Sequence, residues 1–143
     1  MQLTHYTDYG LRVLIFLSIQ EAEQRVTISE ISEHFQIPRN HLVKVVHRLG
    51  QLNYIHSTRG KNGGIVLGQS TDQIKIGDVV RQMESNLDII NCDSPSPCPI
   101  QPNCRLQSIL HEAGDAFLKI LDQYTIADLQ QTPGQLKVLL GWE

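Results

Sequence analysis

The chain has 143 residues, 41% of them apolar, and a formal net charge of −3. That is enough for one hydrophobic core, as one domain or a small domain with an appendage. The apolar run at 13–17 falls far short of the roughly 18 or more residues a spanning helix needs, so no membrane segment is expected. The opening MQLTHYTDYG carries neither the basic region nor the small-residue cleavage site of a secretory signal, and the expected location is the cytoplasm, where thiols stay reduced.

In chain order, Leu11, Val13, Leu14, Ile15, Phe16, Leu17 and Ile19 cover most of the surface of a helix over 7–20, as a buried first helix requires. TISE at 27–30 has the spacing in which a threonine and a glutamate satisfy each other's free backbone donors, which predicts a second helix starting at Ile28 with Ile31 and Phe35 inward. QIPRNHLVKVVHRL follows, with Pro38 suited to a first helical turn and Leu42, Val45, Val46 and Leu49 at helical spacing. The other face of this third helix shows Asn40, His41, Lys44, His47 and Arg48. Two short helices joined by a tight turn, the second basic outside, make a helix-turn-helix pattern.

YIHST and GIVLG then flank RGKNGG, which reads as a hairpin with a glycine-rich tip. Helix-turn-helix and basic hairpin together predict a winged helix. In that arrangement Asn40, His41, Lys44 and Arg48 are candidates for the major groove of double-stranded DNA, with Arg39 nearer the phosphates, while Arg59, Lys61 and Asn62 act from the wing. The charge distribution supports this reading, because no acidic residue lies between Glu33 and Asp72 while every candidate base does. An ordinary solvated face is the alternative.

IGDVVRQME predicts another short helix. Prolines at 95, 97, 99 and 102 then forbid a helix or a central strand, so Cys92, Cys98 and Cys104 are expected on a loop. From 105 to 124 a long apolar stripe predicts a helix of roughly 30 Å, expected to pair with its copy in a homodimer and so present two recognition helices to two half-sites. YTIADLQQ is read as a short helix capped by Thr125, and the tail from Thr132 carries no clear signal. The expected fold class is mainly α: a winged helix-turn-helix domain at 1–85 with a small β-hairpin wing, a cysteine loop at 86–104, and a dimerisation helix with the C-terminal segment at 105–143.

Cys92, Cys98 and Cys104 are every cysteine in the chain, in a C-x5-C-x5-C spacing that differs from zinc ribbons and bacterial ferredoxins. A wide loop of this kind can wrap an object larger than one ion. Thiolates suit an iron-sulfur cluster or zinc, while a thiol redox switch or a chance grouping remains open. A three-cysteine set would leave one cluster iron on a weaker, exchangeable fourth ligand.

MQLTHYTDYGLRVLIFL, RNHLVKVVHRL, RGKNGGIVLG, IGDVVR and LDQYTIADL together resemble the bacterial winged-helix iron-sulfur repressors, and within them the nitric-oxide-sensing members. The resemblance runs over nearly the whole chain. It implies that Cys92, Cys98 and Cys104 hold an iron-sulfur cluster, 2Fe-2S or 4Fe-4S, and that the homodimer represses operators of nitric-oxide detoxification genes until nitric oxide attacks the cluster. In related cluster-biogenesis regulators a histidine three residues after the last cysteine completes the set; Gln107 stands there in this chain. In nitric-oxide-sensing members an aspartate near the N-terminus reaches the cluster of the other subunit, and Asp8 matches it. Asp8 also suits the positive end of the first helix without any metal, and His5 and His111 are further ligand candidates. The rivals are a biogenesis-type regulator and, from another class, an iron-sulfur enzyme, against which the chain shows no convergent acid-base constellation.

Overall fold

A computed structural model describes residues 2–93, 95–96, 98–130 and 132–141. Helix α1 spans His5–Ser18 and starts two residues before the periodicity suggests. The reason is a cap: Thr4 accepts a hydrogen bond from the Thr7 amide (3.4 Å), and its own amide and hydroxyl donate to Glu84 Oε1 at 2.7 and 3.0 Å. A contact 80 residues away thus helps to set where the helix begins.

Helix α2, Ile28–Phe35, opens on the expected capping box, with the Glu30 amide donating to Thr27 Oγ1 (3.2 Å) and the Thr27 amide to Glu30 Oε2 (2.6 Å). It ends at Gln36 in the left-handed conformation, φ 57°. Helix α3, Arg39–Gln51, follows at once. Pro38 lies one position before its expected place in the first turn: at ψ 131° it is the cap, and its carbonyl accepts from the His41 and Leu42 amides. Leu42, Val45, Val46 and Leu49 are buried, as the spacing predicts.

Strands β1 (Ile55–Thr58) and β2 (Gly64–Leu67) pair antiparallel, Ile55 opposite Leu67 and Thr58 opposite Gly64. Val26 adds a bridge to Ile65 through two backbone hydrogen bonds, tying the α1–α2 link to the wing. The tip turns tightly enough that a Cβ on Gly63 would lie 2.2 Å from the Thr58 carbonyl oxygen, so only glycine fits there.

Helix α4 covers Ile76–Met83 and helix α5 Arg105–Leu121. At 17 residues, α5 is about 25 Å long, shorter than expected because the chain turns at Asp122 and runs back beside 74–76. Ile76 donates to the Tyr124 carbonyl and Ile126 to that of Ile74, both at 3.0 Å. The expected short helix forms at Ile126–Gln130, as a 3-10 helix; the Thr125 amide and hydroxyl both donate to Asp128 Oδ2. Helix α6, Pro133–Leu139, forms where the sequence carried no signal. Its return is secured by His34 Nδ1 against the Leu140 carbonyl and by Gln130 donating to that of Ser18.

The core sits where α1, α2, α3, β2 and α4 meet, around Leu14, Phe16, Ile31, Leu42, Leu49 and Val79, with Ile126 inserted from beyond α5. Burying a side chain of this size is worth about 1.5–3 kcal/mol. Helix α5 contributes no fully buried residue, and Leu106, Ile109 and Ile120 are 55, 50 and 56% exposed. Among the described residues no helix is long and apolar enough to cross a membrane. The architecture is a mainly helical winged helix with a two-stranded wing and a long C-terminal helix.

Candidate nucleic-acid interface and cysteine cradle

The α3 periodicity that buries Leu42, Val45 and Leu49 turns Asn40, His41, Lys44 and His47 outward, where all four are exposed. Val43 shares that face at 42% exposure and was missed by a search for charge. An apolar side chain among polar ones on such a face suits the methyl group of a thymine. Its signal was available, as an apolar residue three after Asn40 and four before His47. Arg39 is exposed beside α2, its Nε donating to Ser29 Oγ at 3.4 Å.

Arg48 is placed differently from the rest. Its guanidinium turns toward α4 and donates from Nη2 to the Gln82 carbonyl at 3.1 Å, and the residue is half-buried. On the wing, Arg59, Lys61 and Asn62 are exposed at the tip. Arg25, which the sequence reading passed over, donates from Nη1 to the Asn62 carbonyl at 3.1 Å and adds a base next to the wing. Nothing local marks it, since it comes near Asn62 through the Val26–Ile65 bridge.

Helix α1 grips α3 from behind this face. Tyr6 donates its hydroxyl to the Lys44 carbonyl (3.4 Å), and the Tyr9 ring stacks on His41 at 6.2 Å and on His5 at 5.7 Å. His5 is therefore part of an aromatic stack. Asp8 lies between the two tyrosines in the first turn of α1 and pairs with Arg12 through both oxygens, at 3.1 and 2.8 Å. The pair is about 40% exposed, so Asp8 is accessible from solvent.

Cys92, Cys98 and Cys104 are free thiols that line one shared cavity of about 160 Å³ with Ile90, Ile100 and Leu106. Gln107 lines it too, and Asp8 is not among its lining residues. Backbone turns shape the cradle: the Asp93 amide donates to Asn91 Oδ1, and a 3-10 turn at Gln101–Asn103 leads into α5. Pro97, one of the prolines expected to stiffen the loop, lies outside the described residues. Cys104 is the N-cap of α5, so the third thiol is carried at the start of that helix.

Among the described residues no three His, Cys, Asp or Glu side chains come close enough to hold a single metal ion. Three sulfurs spread around one cavity, walled by isoleucine and leucine, fit a body larger than an ion. His111 is exposed on α5 and does not line the cavity.

At the other end of α5, Asp122 pairs with Arg81 of α4 through two hydrogen bonds, at 2.6 and 2.8 Å. The guanidinium holds the Asp122 carboxyl below its ordinary range, and Asp122 raises Arg81 in turn. Gly77 makes room for the pair, because a Cβ there would lie 1.9 Å from Asp122 Oδ1.

Comparison with known proteins agrees with this anatomy. The chain is 46% identical over 142 residues to the HTH-type transcriptional regulator NsrR of Geobacillus kaustophilus (strain HTA426), covering 98% of this chain and 97% of that one. It is 42% identical over 145 residues to the regulator of the same name from Shouchella clausii (strain KSM-K16), covering 100% and 97%. Among solved structures it resembles CymR (YrzC), the global cysteine regulator of B. subtilis, with TM-score 0.71, 25% identity, and 90% and 95% of the two chains covered. The fold also matches T. potens IscR, with TM-score 0.74 at 21% identity over 92% and 87%. Residues 3–132 match the Rrf2 family, described as iron-dependent transcriptional regulators, and this chain belongs to that family.

Proposed function

We propose that this regulator is a homodimeric, cytoplasmic repressor that binds an inverted-repeat operator while it holds an iron-sulfur cluster and releases it when nitric oxide reaches the cluster. The observation that carries the reading is the single cavity lined by all three thiols, at the foot of a helix whose apolar face is uncovered. Cys92, Cys98 and Cys104 would hold the cluster, with Asp8 of the second subunit as fourth ligand. Bound there, the cluster supplies an iron on an exchangeable oxygen ligand, open to attack by nitric oxide.

The chain's own residues supply the rest. Asn40, His41 and Lys44 meet base edges, Arg39, Arg59 and Lys61 meet phosphate or minor groove, and Asn62 shapes the wing tip. Asp8 sits between Tyr6 and Tyr9, so a pull on Asp8 bears on the residues that grip α3. Loss of that pull shifts α3 between two poses, a local event that biases a two-state element.

A biogenesis-type regulator would sense cluster supply instead. Gln107, a neutral amide at the cavity where that branch carries histidine, favours the nitric-oxide reading. Anaerobic titration with nitric oxide, following operator binding by fluorescence anisotropy, tests the proposal. Affinity should fall in step with cluster absorbance, and undiminished affinity after complete reaction contradicts it.

A further inference from the structure

The last turn of α4 receives ties from three other helices within four residues. Arg81 holds Asp122 at the end of α5 through Nη1 and Nη2 of its guanidinium. Gln82 gives its carbonyl to Arg48 of the recognition helix α3. Met83 is buried against α1, packed so closely that a Cβ on Gly10 would lie 2.8 Å from its Cε. Glu84 accepts two hydrogen bonds from Thr4, the cap of α1. The helix that starts at Cys104, the helix that carries Asp8 and the helix that faces DNA therefore meet at residues 81–84.

These ties are suited to setting position. The Arg81–Asp122 pair is about one-third exposed, and solvent-accessible pairs contribute little to folding stability. Its geometry is nevertheless narrow, because Gly77 leaves no room beneath Asp122 for a side chain. A bidentate arginine-carboxylate pair fixes orientation as well as distance. Arg48 is half-buried and bonded to a backbone carbonyl of α4 at the surface, unlike the exposed Lys44.

We propose that Arg48, Arg81 and Asp122 are positioning residues for operator binding, and that the last turn of α4 is the joint through which α5 and the start of α1 set the pose of α3. This rests on the repressor reading above. Movement of α5 is delivered to α3 through Gln82, acting beside the direct hold of Tyr6 and Tyr9 on α3, and the spacing of the two recognition helices in the dimer follows. A single half-site does not test that spacing, whereas an inverted repeat does.

The experiment uses full-length protein, cluster-loaded and cluster-free. One duplex is the inverted repeat that loaded wild-type protein selects from a random pool; a second carries one arm of it. Asp122→Asn should keep the cluster absorbance and bind the single arm within about twofold of wild type. On the inverted repeat, its loaded-to-free affinity ratio should shrink about tenfold or more toward one. Gly77→Ala, which removes no charge, should do the same by displacing Asp122. Arg48→Ala should weaken binding to the inverted repeat while leaving the slope of log affinity against log salt unchanged; a slope lower by about one makes Arg48 a phosphate contact and overturns its assignment. A wild-type ratio retained by Asp122→Asn or Gly77→Ala overturns the joint. No ratio in the wild type itself sinks the sensing reading beneath it.

Discussion

The winged domain and the stretch from 86 to 121 are built from similar proportions of apolar residues but use them in opposite ways. In the first, Leu14, Phe16, Leu42, Leu49 and Val79 close on one another and leave almost no exposure. In the second, Ile90, Ile100, Leu106, Ile109 and Ile120 stay open to solvent, and the three thiols gather around a cavity instead of a core. The first region is stable through its own contacts. The second has geometry but little burial, which leaves it dependent on what it binds.

Mutation should separate the two regions. Leu42→Ala, in the closed core, should cost about 2–5 kcal/mol of unfolding free energy in urea. Ile109→Ala should change unfolding of the separated subunit by less than about 0.5 kcal/mol, while shifting sedimentation equilibrium toward monomer. Equal losses of folding stability at the two sites would erase the distinction. Thr27→Ala removes a cap of the winged domain and should cost about 1 kcal/mol. Cys98→Ala should leave thermal unfolding of cluster-free protein unchanged and abolish reconstitution of cluster absorbance, so a lowered Tm in cluster-free protein would make the cradle part of the core after all.

Smaller effects sharpen the contrast at the surface. Lys61→Ala should lower the salt slope of operator binding by about one, as a single phosphate contact does, whereas Lys44→Ala, at a base edge, should relax operator sequence specificity. The Arg81–Asp122 pair carries the smallest effect, and its sign follows from the lowered Asp122 carboxyl. Its contribution is present above the ordinary carboxylate range and is lost as pH falls through the depressed folded value. Wild type and Asp122→Asn should therefore differ in Tm at neutral pH and converge in strong acid.

Much of the winged domain was legible because its signals are local. Thr27 and Glu30 lie three residues apart and close the same box in the chain as on paper. The α3 spacing states both what is buried and what faces out, and the glycines of the wing tip mark a turn that a Cβ at Gly63 would block. The cysteine loop was legible as a loop through its prolines. Arg48 was read as a groove residue from its place on the helical wheel, which does not show that its guanidinium reaches the Gln82 carbonyl of α4. Arg25 and Val43 were passed over for different reasons: one is brought to the wing by a bridge between distant residues, while the other had its signal in its spacing from Asn40 and His47 but carries no charge.

The amino-acid sequence by itself determined the helix-turn-helix, the wing and the set of three thiols, because helical period, capping pairs and proline each act within a few residues. Tertiary structure alone decided where α1 begins, where α5 stops, that Ile126 returns to the core, and that Arg48, Asp122 and Thr4 converge on the last turn of α4. Those outcomes depend on groups 34 to 80 residues apart in the chain meeting in space, and no local pattern encodes such a meeting.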